Sequence, residues 1–80
     1  QYIIYKERDI VNSLGEKVRI DRLMLKNNNA IIMEYKTGTQ KIQDVEQINR
    51  YEKFLNDTKL SVIKKILVYI KEDNVKINFV

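Results

Sequence analysis

Short runs of Ile, Val, Leu and Tyr, broken by turn residues, fill the first part of the chain and predict strands. Three such runs, residues 2–12, 17–26 and 30–36, are separated by "SLGE" and by three asparagines. Gly15 is available for a positive φ in the first turn, and Asn27–Asn29 tolerate the left-handed region in the second. We therefore expect a three-stranded antiparallel meander. Its third strand begins with an unbroken apolar run, which predicts a central strand buried on both faces.

After the loop "TGTQKIQD" the spacing of apolar residues changes to three and four, which predicts an amphipathic helix from Ile42 to about Asp57. Asp44 and Glu46 lie near its start and Lys53 lies nearer its end. This distribution of charge interacts favourably with the helix dipole. The apolar stripe of this helix consists of Ile42, Val45, Ile48, Tyr51, Phe54 and Leu55.

The last segment admits two interpretations. The β-branched residues of "SVIKKILVYIKE" predict a strand, and the turn "EDN" before "VKINFV" predicts a closing hairpin. The spacing of its apolar residues, Ile63, Ile66, Leu67 and Ile70, also suits a helix. With the strand, the order is β-β-β-α-β-β, an α+β sheet that carries one helix. The strand after the helix can then lie parallel to the third strand.

Composition narrows the class of protein. Eighty residues, 44% hydrophobic and 32% charged, suit one small folded domain rather than a disordered chain. The chain lacks cysteine, which excludes disulfides and iron–sulfur clusters, and it lacks a membrane-spanning run, so we expect a cytoplasmic protein. A net charge of +4 permits a polyanionic partner. Because histidine is absent, acid–base or metal chemistry must come from Asp, Glu, Lys or Tyr.

A candidate site lies at the end of the third strand, where Glu34 and Lys36 point to the same face. The register of the second strand decides whether Asp21 joins them. An even-numbered loop such as Lys26–Asn29 places Asp21 opposite Glu34, and a two-residue loop at Asn28–Asn29 places it opposite Lys36. A three-residue loop would turn Asp21 to the other face.

Two close carboxylates favour a cation between them, and ligation by Asp and Glu oxygens suits Mg²⁺ or Mn²⁺. Lys36 beside such a cation would orient or deprotonate a water, or stabilise charge on a phosphate. On the helix, Gln47 and Tyr51 are one turn apart and could reach this face. The alternative is a solvated surface cluster worth less than about 1 kcal/mol, with Tyr51 serving only to anchor the helix.

Three segments in this order, "RIDRL", "IIMEYKTG" and "QINRY", resemble the RecB-type branch of the PD-(D/E)xK nuclease superfamily. The resemblance covers roughly residues 3–60 and implies a restriction-endonuclease-like core that hydrolyses DNA phosphodiesters with Mg²⁺. It further implies a role in DNA repair or recombination, commonly beside helicase domains of the same chain. In this family Gln47 and Tyr51 correspond to the Q-x-x-x-Y motif, which helps to hold the site and the nucleic-acid backbone.

The resemblance also implies roles for four neighbouring positions. Asp21 and Glu34 match the two metal-binding acids, and the backbone carbonyl of Tyr35 would be a third ligand. Lys36 matches the lysine that positions the attacking water. The basic residues that we expect to hold the DNA backbone are Arg22, Lys41, Arg50 and Lys53.

The chain departs from the family pattern at several points. Arg19 stands where the family often has Gly, and the histidine-bearing first core helix is missing, so residues 1–80 are expected to be a fragment of a longer protein. Glu7 on the first strand could add an acid to the site. Two alternatives stay open: a catalytically incomplete nuclease fold that binds DNA or scaffolds a larger repair protein, and a basic α+β interaction domain unrelated to nucleases.

Overall fold

A computed structural model describes residues 1–80 as five strands and one helix. The elements are β1 (Ile3–Val11), β2 (Lys17–Lys26), β3 (Asn29–Thr37), α1 (Ile42–Asp57), β4 (Ser61–Ile70) and β5 (Val75–Phe79). The predicted α+β class and the order β-β-β-α-β-β are confirmed. The segment that also suited a helix is strand β4, which is hydrogen-bonded on both sides, to β3 and to β5.

The five strands form one sheet in the order β1-β2-β3-β4-β5, so the predicted central position of β3 is confirmed. Neighbouring strands are antiparallel except β3 and β4, which are parallel and are connected through α1. A parallel pair needs such a crossover because the chain must return to the same end of the sheet. Helix α1, of 16 residues, has neither the length nor the apolar character of a membrane-spanning helix.

The hydrophobic core lies between α1 and one face of the sheet, called here the helix face. Ile48 and Leu55 of the helix are fully buried, and Val45 and Phe54 pack against the core beside them. Ile42 is 70% exposed, so the apolar stripe begins at Val45 and not at the first residue of the helix. The sheet contributes Ile20, Leu23, Ala30, Ile32, Leu67 and Tyr69 to this core.

The opposite face of the sheet, called here the open face, carries no helix of this chain. Apolar side chains remain exposed on it, among them Ile77 and Phe79 of the edge strand β5. On β3, Ile31 and Met33 are only half-buried on this face, so the predicted two-sided burial of β3 is wrong for its open face. Four consecutive buried residues occur instead on β4, at Ile66–Tyr69.

The sheet divides near the middle of β2. Strand β2 pairs with β1 from Lys17 onwards, but its ladder with β3 starts only at Arg22. At the same level the β1–β2 ladder skips the position of Glu7 and Asp21, and Glu7 has a left-handed φ of 50°. The ladder between β2 and β3 and the ladder between β1 and β2 are thus both interrupted at Asp21. The resulting gap, between residues 17–21 and 34–37, is called here the fork.

Candidate active site

The turn between β2 and β3 sets the register of the candidate site. Lys26 pairs with Asn29, so the turn has two residues, and Asn27 takes a left-handed φ of 56°. The last pair of this ladder is Arg22 with Met33, so the next position along the same register places Asp21 opposite Glu34, as one of the two predicted registers does.

Two carboxylates bridge the strands where the ladder ends. The backbone N–H of Asp21 donates to Oε1 of Glu34 at 2.9 Å, and the N–H of Tyr35 donates to Oδ2 of Asp21 at 2.9 Å. At the point where the two strands separate, side-chain oxygens therefore accept hydrogen bonds from two backbone N–H groups that have no cross-strand carbonyl partner. The two carboxyl groups also lie within hydrogen-bond reach of each other, which contributes to raising the pKa of Glu34.

Glu34 is the only buried charged residue of the chain and is 4% exposed. Burial is the main cause that raises the pKa of Glu34 to about 7, and the neighbouring Asp21 carboxylate raises it further. The Asp21 N–H and the charge of Lys36 act in the opposite direction. The site therefore holds a carboxyl group that gains or loses its proton near neutral pH.

Lys36, Gln47 and Tyr51 form a chain of hydrogen bonds from the sheet to the helix. Nζ of Lys36 donates to Oε1 of Gln47 at 2.5 Å, and Nε2 of Gln47 donates to the Tyr51 hydroxyl at 3.0 Å. Burial, followed by the nearby charge of Glu34, raises the pKa of Tyr51, which keeps the hydroxyl neutral. The five side chains predicted for the catalytic centre thus form two hydrogen-bonded groups, Asp21 with Glu34 and Lys36 with Gln47 and Tyr51. The charges of Asp21 and Lys36 both act on Glu34.

The two acids at the site suit Mg²⁺, which keeps several water ligands, better than a cation whose ligands all come from the protein. No cluster of three or more acidic, His or Cys ligands is present in the chain. Mg²⁺ commonly uses one or two carboxylates and keeps several waters, so the adjacent carboxylates of Asp21 and Glu34, when both are ionised, are a suitable donor set. Glu7, the additional acid considered above, lines a cleft together with Asp21.

The four basic residues predicted to hold DNA do not form one surface. Arg22 lies on the open face, where its guanidinium is over the Tyr35 ring. Lys41 is the N-cap residue of α1, while Arg50 and Lys53 are exposed on the helix and line a groove with Tyr51. Only Arg22 is adjacent to a residue of the candidate site on the open face.

Sequence reasoning missed a contact that anchors the start of the helix. The Tyr69 hydroxyl donates to Oδ2 of Asp44 at 2.7 Å, and the same oxygen accepts the Lys41 N–H at 3.2 Å. The Tyr69 bond is the main cause that lowers the pKa of Asp44, and burial is the main cause that raises the pKa of Tyr69 to about 12. An acid at the third position of a helix is a recognisable signal, but its tyrosine partner lies 25 residues away and depends on the crossover.

Comparison with known proteins gives no assignment: no protein-family model matches the chain, and no curated protein or solved structure matches it. What the site can do is therefore inferred from its own residues and from their geometry.

Proposed function

We propose that this chain is a Mg²⁺- or Mn²⁺-dependent deoxyribonuclease module with a restriction-endonuclease-like core. It would serve DNA repair or recombination in the cytoplasm, beside helicase domains of the same parent chain. The observation that carries the proposal is the convergence of Asp21, Glu34 and Lys36 in the fork, with Gln47 bonded to Lys36. The motif order "RIDRL", "EYKTG" and "QINRY" supports the same chemistry.

In this proposal Asp21 and Glu34 would hold the cation, and the backbone carbonyl of Tyr35 would be its third protein ligand. The bound cation would supply positive charge next to the scissile phosphate. A charged Lys36 has three N–H donors, of which Gln47 takes one. The other two can hold the attacking water and a phosphate oxygen. Tyr51 holds Gln47 and is a positioning residue for Lys36.

The reaction needs no oxidant or further co-reactant. Water adds to phosphorus while the bond from phosphorus to the leaving oxygen breaks. One proton of the water is transferred through solvent to the leaving oxygen, so that the products are a phosphate monoester and a free hydroxyl group. Most of the rate would come from charge stabilisation and from the orientation of the water, the usual means of phosphoryl-transfer enzymes.

Cleavage of labelled linear DNA in Mg²⁺ or Mn²⁺ tests the proposal. Asp21→Asn and Lys36→Met should each lower the rate at least about 100-fold, because each removes a group that acts on the reacting phosphate. The matched controls are Asp73→Asn and Lys59→Met, which make the same charge changes at exposed positions outside the site and should leave the rate unchanged.

Calorimetric titration with Mn²⁺ separates the proposal from the catalytically incomplete alternative. Cation binding that Asp21→Asn removes, without any cleavage by the unaltered chain, would favour the alternative. Cleavage that survives both site substitutions would contradict the nuclease proposal.

A further inference from the structure

Two cations face each other across β1 and β2 on the open face. Lys6 pairs directly with Arg22, and side chains in such cross-strand pairs have Cβ atoms about 5 Å apart. Neither forms an ion pair with a carboxylate, since the three ion pairs of the structure involve Lys17, Arg19 and Lys65. Like charges directly opposite each other destabilise a sheet unless an anion lies between them.

Arg22 also carries the only buried side-chain polar atom without a hydrogen-bond partner. Its Nε is removed from solvent and has no acceptor, although such atoms are nearly always satisfied. The guanidinium carbon lies 5.9 Å from the centre of the Tyr35 ring, which holds the group in place by a cation–π contact. An Arg fixed in this way presents a planar set of donors suited to a phosphate.

Both cations line an open cleft of about 310 Å³ together with Glu7, Asp21 and Tyr35. Glu7 and Asp21 form no ion pair with either cation, and one oxygen of Asp21 accepts the Tyr35 N–H. Asp21 is shared between this cleft and the candidate active site. An anion in the cleft would therefore lie one side chain away from the reacting phosphate.

We propose that Lys6 and Arg22 bind a phosphate of the nucleic-acid strand on the open face, next to the phosphate that is cut. The inference rests on the proposed function for the identity of the strand. It assigns the path of the substrate to the open face, away from the helix residues Arg50 and Lys53. Tyr35 is a positioning residue that fixes the Arg22 guanidinium.

Binding of a short fluorescein-labelled single-stranded oligonucleotide, measured by anisotropy in EDTA, tests the inference without cleavage. Lys6→Gln and Arg22→Gln should each weaken binding about 10-fold, the usual effect of losing a charged hydrogen bond. Each should also reduce the slope of log affinity against log salt by about 0.7. Arg22→Lys, which keeps the charge but loses Nε and the planar fork, should still weaken binding. Lys59→Gln, which removes the same charge at an exposed position after α1 and off the open face, is the matched control.

Lys6→Glu gives a second readout that a purely structural role would not produce. It places a carboxylate opposite Arg22 and should raise the melting temperature of the free protein, while it abolishes oligonucleotide binding. Equal weakening by Lys59→Gln, or unchanged binding by Arg22→Gln, would overturn the inference. Its failure is distinct from that of the proposed function. If cleavage requires Asp21 but binding does not depend on Lys6 or Arg22, only this inference fails. If binding depends on Lys6 and Arg22 but the chain does not cleave DNA, only the proposed nuclease activity fails.

Discussion

At the scale of single residues, Glu34 is the position where sequence pattern and stability conflict. It follows Ala30 and Ile32 on the helix face of β3, and all three side chains are buried. An apolar residue at the third position would continue the core, whereas a buried carboxyl group must be protonated or compensated. Such a conflict is typical of functional sites.

The pKa of Glu34 predicts that the metal-free protein loses stability as the pH rises. Because the pKa in the folded state, about 7, lies above the ordinary value of 4.5, the protonated carboxyl favours folding at low pH. This contribution to the free energy of unfolding is on the order of 3 kcal/mol, and it is lost as the pH rises from 4.5 through about 7. Urea denaturation in EDTA between about pH 5 and pH 8 measures it.

Glu34→Gln should remove most of this pH dependence, since glutamine does not titrate. Glu46→Gln, at an exposed position of α1, should keep it. The absence of histidine leaves few other groups that titrate in this range. An unaltered pH profile in Glu34→Gln would show that the Glu34 carboxyl is not the responsible group.

At the scale of elements, the ends of α1 decide how the helix is seated on the sheet. Its start is tied to β4 by the bond from the Tyr69 hydroxyl to Asp44. Its end is closed by bonds from the Lys59 N–H to the Asn56 carbonyl and from the Leu60 N–H to the Leu55 carbonyl. This is the Schellman pattern, which requires a left-handed residue.

Lys59 is that left-handed residue, with a φ of 69°, and glycine is the residue usually found there. Lys59→Gly should therefore raise the free energy of unfolding by about 1 kcal/mol, because glycine has no Cβ to strain. Lys59→Ala keeps a Cβ and is the matched control. Urea denaturation of the three proteins measures the difference, and equal stability of the Gly and Ala variants would contradict the prediction.

At the scale of the whole molecule, one layer of helix against one face of a five-stranded sheet supplies the core. Leu67 is fully buried in this core, whereas Ile77 on the open face is 57% exposed. The two faces therefore contribute unequally to stability, although both carry apolar side chains. A small domain with a single such core has little stability to lose.

Leu67→Ala should lower the free energy of unfolding by about 2–5 kcal/mol, the range for cavities in close-packed cores. Ile77→Ala should lower it by less than about 1 kcal/mol, because its side chain is largely in water already. Chemical denaturation of both variants measures the contrast. Comparable losses would show that the open face is buried in solution.

Much of the fold was predictable from local pattern, because each element carries its own period and its own turn residues. The left-handed Gly15 and Asn27 were anticipated in this way, and so was the helix from Ile42 to Asp57. The positive φ of Glu7 was not, since nothing in the local sequence sets it apart from its neighbours.

By itself, the sequence determined the order of elements, the helix face and the set of acids, Lys, Gln and Tyr available for chemistry, because these depend on periodicity and residue type. Only the tertiary structure decided that Asp21 lies opposite Glu34, since one residue of slip at the asparagine turn would have moved it to the other face. The register between β1 and β2 likewise brought Lys6 against Arg22. Such contacts join residues far apart in the chain, and register and packing, which are properties of the whole sheet, decide them.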